Sequence, residues 1–239
     1  MTMKRICLYL LSVMLLCFYS VTAQKDIRIG VKTHPNLSFS TVFDKSNFDK
    51  TSFSVRNGLI GLNFGACANF QKNNWLFEYS TGINSNRTGL KFHNNSDKAQ
   101  LNLRTLSFMN ELNLGFRLFS SNKPYYEVFY TLSYSFSFIG IQKLSGNSQF
   151  ENITSFEETY PNLDLTWKSN HIGTGVKIRT QLKNGRRFDY GISYKIGQKN
   201  YPLIGIKIET QTQLFQTAIQ PKVSTLSIDF IYFFGKKNK

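Results

Sequence analysis

Cysteine, proline and acidic residues are all scarce in this chain, and each shortage limits the kind of protein it can be. The 239 residues include only 3 Cys and 5 Pro, so neither a disulfide framework nor a Pro-rich linker is expected to organise the fold. Acidic residues number 14 against 29 basic ones. Beyond the first 19 residues no apolar run reaches the length of about 20 residues that a membrane helix needs.

An export signal is predicted at the start of the chain. The basic pair Lys4 and Arg5 precedes an almost unbroken apolar stretch at 6–19, and Ala23 ends a group of small residues suited to a signal peptidase. We expect residues 1–23 to be a signal peptide. Removal of its two basic residues leaves 27 against 14 acidic residues, a net charge of +13. Anionic lipid head groups, and not nucleic acid, are the expected counter-charge of such an exported protein.

Cleavage after Ala23 also leaves Cys67 as the single cysteine, which cannot form an internal disulfide. We interpret Cys67 as a small residue within a strand. Cys17 allows a lipoprotein alternative, which the bulky Leu16 before it disfavours.

Alternation of apolar and polar side chains dominates the rest of the chain and predicts β-strands. In the segment NELNLGFRLF, Leu112, Leu114 and Phe116 take every second position, and polar or small residues lie between them. Eight such segments are predicted, at 26–33, 58–70, 75–84, around 110–119, and at 126–138, 172–179, 188–197 and 223–234.

The connections between these segments alternate in length. Three are tight polar turns with the sequences QKNN, SSNKP and KNGR, and four are long, at 41–54, 85–99, 143–168 and 198–222. Transmembrane barrels join their strands in this way, with short periplasmic turns and longer outer loops. We therefore predict that residues 24–239 form an all-β domain, an eight-stranded antiparallel up-and-down transmembrane β-barrel with four short periplasmic turns or termini and four long outer loops. Within the last long connection, residues 205–215 alternate like a strand and are expected to extend the last hairpin beyond the membrane.

The volume of an eight-stranded barrel decides which face of the strands points inward. Such a barrel holds little more than the side chains of one face, and the bulky row from Tyr126 to Phe138 would overfill it in a lipocalin-like arrangement. We expect the apolar rows to face lipid and the faces rich in Gly, Ser, Thr and Asn to line the lumen. Trp75, Tyr190 and Phe234, like Tyr126, lie near strand ends, where an interfacial girdle belongs.

Charged side chains fall on the predicted lumen face, most of them about four residues from a short turn. Neighbouring strands then carry opposite charges, with Arg117 between two glutamates and Asp229 beside Arg28. Because buried charges need partners, we hypothesise a layer of ion pairs that plugs the lower lumen. The candidate residues are Arg28, Glu78, Glu111, Arg117, Glu127, Lys177, Arg179, Asp189 and Asp229.

Three segments carry a family resemblance: MNELNLGFRL at 109–118, HIGTGVKI at 171–178 and LSIDFIYFF at 226–234. They resemble strands of the small Gram-negative outer-membrane β-barrel proteins called PorT-like. The resemblance implies an eight-stranded barrel in the cell outer membrane, surrounded by lipid and lipopolysaccharide. It implies no reaction, and it leaves open an envelope or secretion-machinery protein as a partner.

Candidates for catalysis or metal binding are few. His34, His93 and His171 lack the spacing of metal ligands. The segment HNNSD at 93–97 brings His, Ser and Asp together on a predicted outer loop, but without the rigid frame that a catalytic site needs. We therefore expect no catalytic residue, no metal and no cofactor.

Three functions remain open from the sequence. The leading one is a non-enzymatic outer-membrane barrel, a plugged structural or interaction protein that presents its outer loops. The second is a small porin for solutes. The third is an outer-membrane enzyme that acts on lipid or protein.

Overall fold

The computed structural model describes residues 27–42, 52–94, 97–122, 125–147, 153–159, 168–182, 185–198, 204–210, 213–219 and 221–234. The predicted signal peptide, 1–23, lies outside these residues. No helix in the described segments is long and apolar enough to cross a membrane.

The described residues form twelve β-strands. They are β1 (Arg28–Val42), β2 (Phe53–Arg56), β3 (Leu59–Lys72), β4 (Trp75–Asn94), β5 (Asp97–Asn122), β6 (Tyr125–Asn147), β7 (Ile153–Thr159), β8 (Lys168–Gln181), β9 (Arg187–Gly197), β10 (Ile204–Thr210), β11 (Leu214–Ile219) and β12 (Pro221–Phe233).

Eight of these strands close into an antiparallel ring. Their order is β1-β3-β4-β5-β6-β8-β9-β12, and β12 pairs back onto β1. Each ring strand pairs with the ring strand before it and the one after it in the chain, which is the up-and-down arrangement. The predicted eight-stranded antiparallel barrel is therefore confirmed.

Tight turns connect neighbouring strands at one end of the barrel. Asn73, between β3 and β4, has a φ of 54°, and Gly185, between β8 and β9, has a φ of 69°. Asn and Gly are the residues that adopt this left-handed conformation at least cost, so both turns suit their sequences.

The outer wall of the ring is apolar, and the inner wall is polar except near the turns. Ile60 of β3 points outward and is 66% exposed, whereas Asn63, on the other face, is 3% exposed. The outward residues of β3 are all apolar from Ile60 to Phe70, a length of about 33 Å at 3.3 Å per residue. At a strand tilt of about 45° this length would rise about 23 Å along the barrel axis, close to the apolar band of about 25 Å in outer-membrane barrels. A lipocalin-like barrel, which keeps its apolar face inside, is excluded.

Aromatic rings surround the turn end of this wall. Trp75 lies edge-on to Phe116 with ring centroids 5.1 Å apart, and Phe119 lies 5.6 Å from Tyr126. Tyr190 and Phe234 are also outward, and both are exposed. In outer-membrane barrels, aromatic rings at the ends of the apolar wall contact the lipid head groups.

Strands occupy much of the predicted long loops, and among them the sequence pattern indicates only the segment 205–215. Residues 85–99 belong largely to β4 and β5, which stay paired as far as Asn94 and Asp97. The segment 205–215 does not extend the last barrel hairpin, because β10 and β11 pair with each other and β10 pairs with β7 in a separate three-stranded sheet. The sequence pattern favours loops here because Asn, Ser and Thr are frequent and because the apolar residues change face along the strands.

This change of face occurs partway along β4 and β5. Ile83 of β4 is apolar and outward, whereas Leu90 and Phe92 lie on the opposite face and are buried. In β5, Leu101 and Leu103 are buried, and they too lie on the face opposite the outward apolar residues of the lower strand. The β4–β5 register is unbroken along the whole pairing, so no bulge between these strands causes the reversal. The surroundings of the strands therefore change along their length.

A hydrophobic core lies between the extended ends of β4 and β5 and the separate three-stranded sheet. We call this region the outer cap. The ring of Phe92 contacts the rings of Phe53, at 5.2 Å, and Phe215, at 4.9 Å. Its buried residues are Phe53, Leu90, Phe92, Leu101, Leu103, Ile206 and Ile208.

Shortening one side chain of the cap core should destabilise the cap and leave the barrel folded. We expect Leu101→Ala to destabilise the cap by about 2–3 kcal/mol, because the change removes buried apolar contacts and leaves a cavity. Limited proteolysis of the folded protein should then cut within the cap sooner, while the boiling-dependent gel shift of the barrel is retained. Leu214→Ala, at an exposed position of β11, is the matched control and should leave the proteolysis rate unchanged. Equal rates for the two variants would contradict a packed cap.

Candidate functional site: the barrel lumen

Five charged side chains form a continuous chain of ion pairs across the middle of the lumen, which we call the central chain. Lys177 Nζ lies 2.7 Å from Glu78 Oε2, and Glu78 Oε1 lies 3.7 Å from Lys32 Nζ. Lys32 Nζ is 3.1 Å from Glu111 Oε2, and Glu111 Oε1 is 2.8 Å from Lys195 Nζ. All five side chains are at most 5% exposed. They come from five different strands, so the chain ties opposite walls of the barrel together.

Glycines lie beside the lysines of the central chain. Each lysine of the central chain faces a glycine in the strand register, Lys32 with Gly65, Lys177 with Gly191 and Lys195 with Gly173. A Cβ atom at Gly173 would lie 2.7 Å from Cγ of Lys195 and 2.5 Å from Oγ of Ser133. The absence of a side chain at this position therefore leaves room for the lysine stem.

A second cluster lies nearer the turns and is centred on Arg179. Its guanidinium donates to both carboxylate oxygens of Asp189, from Nε to Oδ1 at 2.9 Å and from Nη2 to Oδ2 at 2.8 Å. Nη1 donates to Gln71 Oε1 at 2.8 Å. The ring centroid of Phe129 is 5.1 Å from Cζ, a cation–π distance. The side chains of Arg179 and Asp189 are both 0% exposed, so this pair is shielded from water.

Gln71 links this cluster to the rim of the barrel. Its Nε2 donates to Glu127 Oε1 at 3.0 Å, and Arg117 Nη1 donates to the same oxygen at 2.8 Å. Arg117 also donates to Asn74 Oδ1 in the turn, at 2.7 Å. Because its side chain is 29% exposed, Arg117 lies at the edge of the lumen and is less enclosed than the other charges.

Apolar side chains fill the space between these charges at the turn end. Leu76, Phe129, Ile231 and Phe233 point inward and are each 0% exposed. Cys67 packs against Ile231 and Phe233. Together with Arg179 these residues form a dense floor of the lumen.

Several of the predicted lumen charges have partners other than those expected. Glu78 contacts lysines across the lumen and not Arg117 on the neighbouring strand. The physical reason is that an eight-stranded barrel is narrow enough for extended lysine side chains to span it.

The expected pairing of Asp229 with Arg28 is wrong. Asp229 Oδ1 lies 3.0 Å from Nδ1 of His34, on the neighbouring strand β1. Arg28 is closer to the turn end, where its Nη1 donates to the backbone carbonyl of Gly185 at 2.5 Å. Six residues separate Arg28 from His34 along β1, which is too far for Asp229 to reach both levels.

The lumen residues missing from the sequence-based set include Lys32, Lys195 and His34. They lie deeper in the barrel than a search near the short turns can reach. Their position on the polar face of an alternating strand was the available signal, since Lys32 and Lys195 both occur among small polar residues and glycines.

A small polar cavity lies above the central chain. It has a volume of about 10 Å³, room for about one water molecule. His34, Asn36, Asn84, His171 and Lys195 are among the residues that line it. Within the described residues, no group of three or more His, Cys, Asp or Glu side chains is placed to hold a metal ion.

The HNNSD segment does not form a site in the described residues. His93 is exposed at the tip of β4, and Ser96 lies outside the described residues.

No protein-family model and no curated protein matches the chain by sequence. Among solved structures it is similar to the outer membrane protein OprG from Pseudomonas aeruginosa, with 10% identity and a TM-score of 0.48, over 88% of this chain and 96% of that one. It is also similar to Neisserial surface protein A, with 11% identity and a TM-score of 0.40, over 86% and 97% of the chains. A major outer membrane protein from Thermus thermophilus matches with 10% identity and a TM-score of 0.42, over 86% and 99%. The PorT-like resemblance therefore stays a prediction.

Proposed function

We propose that this chain is a non-enzymatic outer-membrane β-barrel protein that is closed to solutes and presents its outer cap at the cell surface. The observation that carries this proposal is the reversal of the apolar face between Ile83 and Leu90 of β4. Below this point the apolar side chains point away from the barrel, as lipid contact requires. Above it they point into a packed core, as strands surrounded by water require.

Closure of the lumen follows from the buried charges. The central chain and the Arg179–Asp189 pair are almost inaccessible to water, and the apolar floor lies at the same end as the turns. A porin needs a water-filled path, which these layers obstruct. The lumen network thus supports a role as a rigid scaffold, with the cap as the surface that an envelope partner would contact.

Membrane fractionation combined with gel mobility tests this function. We expect the full chain in the outer-membrane fraction, and we expect its unboiled form to migrate differently from its boiled form, since a folded barrel resists detergent unfolding. Recovery in the soluble periplasmic fraction, or a mobility that boiling does not change, would overturn the proposal.

A further inference from the structure

We infer that the outward face of β2, β4 and β5, just above the apolar wall, binds the phosphate groups of lipopolysaccharide in the outer leaflet. This inference rests on the proposed outer-membrane location. Four basic side chains share the face: Arg56, Arg87, Lys91 and Arg104. We call this set the basic face.

The strand register brings these side chains together. Arg87 of β4 is the direct register partner of Arg104 of β5, and Lys91 is that of Gln100. Arg56 of β2 lies beside Gly89, where the absence of a side chain lets its stem cross β4. Its Nη1 then donates to Gln100 Oε1 at 2.7 Å, which fixes the guanidinium over the same two strands.

This arrangement concentrates positive charge on one face. None of the ion pairs identified among the described residues includes a member of the basic face. Like charges directly opposite each other in an antiparallel pair are destabilising. An anion bound between the arginines would relieve their repulsion.

The height of the basic face fits a lipid head group. Trp75 and Phe116 form a register pair in the lower aromatic girdle, and Arg87 and Arg104 follow twelve residues further along their strands. Twelve residues span about 40 Å at 3.3 Å per residue, or about 28 Å along the membrane normal at a tilt of about 45°. The apolar band is about 25 Å tall, so the arginines lie just beyond its outer edge. Ile83, four residues before Arg87, is still exposed and apolar.

Arginine suits phosphate in this setting. Its planar guanidinium donates two parallel hydrogen bonds to phosphate oxygens, and such charge-assisted bonds are stronger than neutral ones. Phosphorylated glycolipid in the outer leaflet places its phosphates at this level. The long-loop end of the barrel is the outer end, so the phosphates of the inner leaflet face the turns instead.

Binding of lipid A to the full chain, folded in uncharged detergent micelles, tests the inference. The probe is bis-phosphorylated lipid A, compared with its dephosphorylated form. We expect Arg87→Gln combined with Arg104→Gln to weaken binding about tenfold or more, since each basic residue near an anionic lipid surface contributes about fivefold. Lys72→Gln combined with Arg186→Gln removes the same charge from exposed positions near the turns and should change affinity less than twofold.

Four results would overturn the inference. The first three are unchanged affinity of the Arg87→Gln and Arg104→Gln variant, an equal loss in the control variant, and equal affinity for dephosphorylated lipid A. Equal affinity for phosphatidylglycerol would also overturn it, because the face would then be a general anionic surface. The boiling-dependent gel shift verifies folding of every variant, and Arg87→Gln alone replaces the double variant if the latter does not fold. An outer-membrane protein with unchanged affinity refutes this site alone, whereas a soluble protein refutes the proposed function.

Discussion

An Arg179→Ala variant is expected to lose about 3–5 kcal/mol of the free energy of unfolding. The substitution leaves the buried carboxylate of Asp189 without the hydrogen bonds that Arg179 donates to both of its oxygens. It also removes the donor to Gln71 and opens space against the ring of Phe129. Urea titration of the protein in lipid vesicles, read as the fraction that keeps the unboiled gel mobility, measures the change.

Two further variants test whether the loss of stability comes from the unpaired charge of Asp189. Arg186→Ala removes the same side chain from an exposed position in the neighbouring turn, so its unfolding midpoint should match that of the unmodified chain. A variant that replaces Arg179 with Met and Asp189 with Leu should recover much of the stability, because an apolar pair does not leave an unpaired charge. Equal midpoints for Arg179→Ala and Arg186→Ala would contradict the assigned role of the lumen cluster.

A Glu78→Ala variant is expected to lose stability on the same scale, about 3–5 kcal/mol. Glu78 is the shared counter-ion of two lysines, and its removal leaves Lys177 without the carboxylate at 2.7 Å. Lys32 keeps its contact with Glu111 at 3.1 Å, so the main cost falls on Lys177. The same urea titration measures the loss.

A double-mutant cycle tests whether the two groups act as a pair. Glu78→Ala combined with Lys177→Met should cost clearly less than the sum of the single changes, since the double variant buries no unpaired charge. Glu209→Ala, at an exposed site in the outer cap, is the control and should leave the barrel midpoint unchanged. Strict additivity of the two lumen substitutions would show that Glu78 and Lys177 do not interact.

The barrel itself could be predicted because alternation reports directly on the two environments of a strand. Residues such as Ile192 and Tyr194 face outward from the barrel, whereas Ser193 and Lys195 face the lumen, and the short turns fix the order of the strands. The outer cap could not be predicted in this way. Its core joins Leu101 to Ile206, which are far apart in sequence, and the apolar face of β4 reverses while its register with β5 stays unbroken.

The lumen network was predictable in its composition but not in its pairing. Alternation assigns Glu78, Lys177 and Arg179 to the inner face, and electrostatics requires that such charges have partners. It does not give the depth of each side chain or the distance across the barrel. The contact between Lys177 and Glu78 joins strands three places apart in the ring, a relation that follows from the closed geometry and not from neighbouring segments.

Planar-bilayer conductance of the full, folded chain tests the closed-barrel account most directly. Insertion is first verified by the boiling-dependent gel shift of protein recovered from the same lipid. We predict no current steps above the bare bilayer at either polarity, because the central chain and the apolar floor obstruct the lumen. Steady single-channel currents through the unmodified protein would contradict the account.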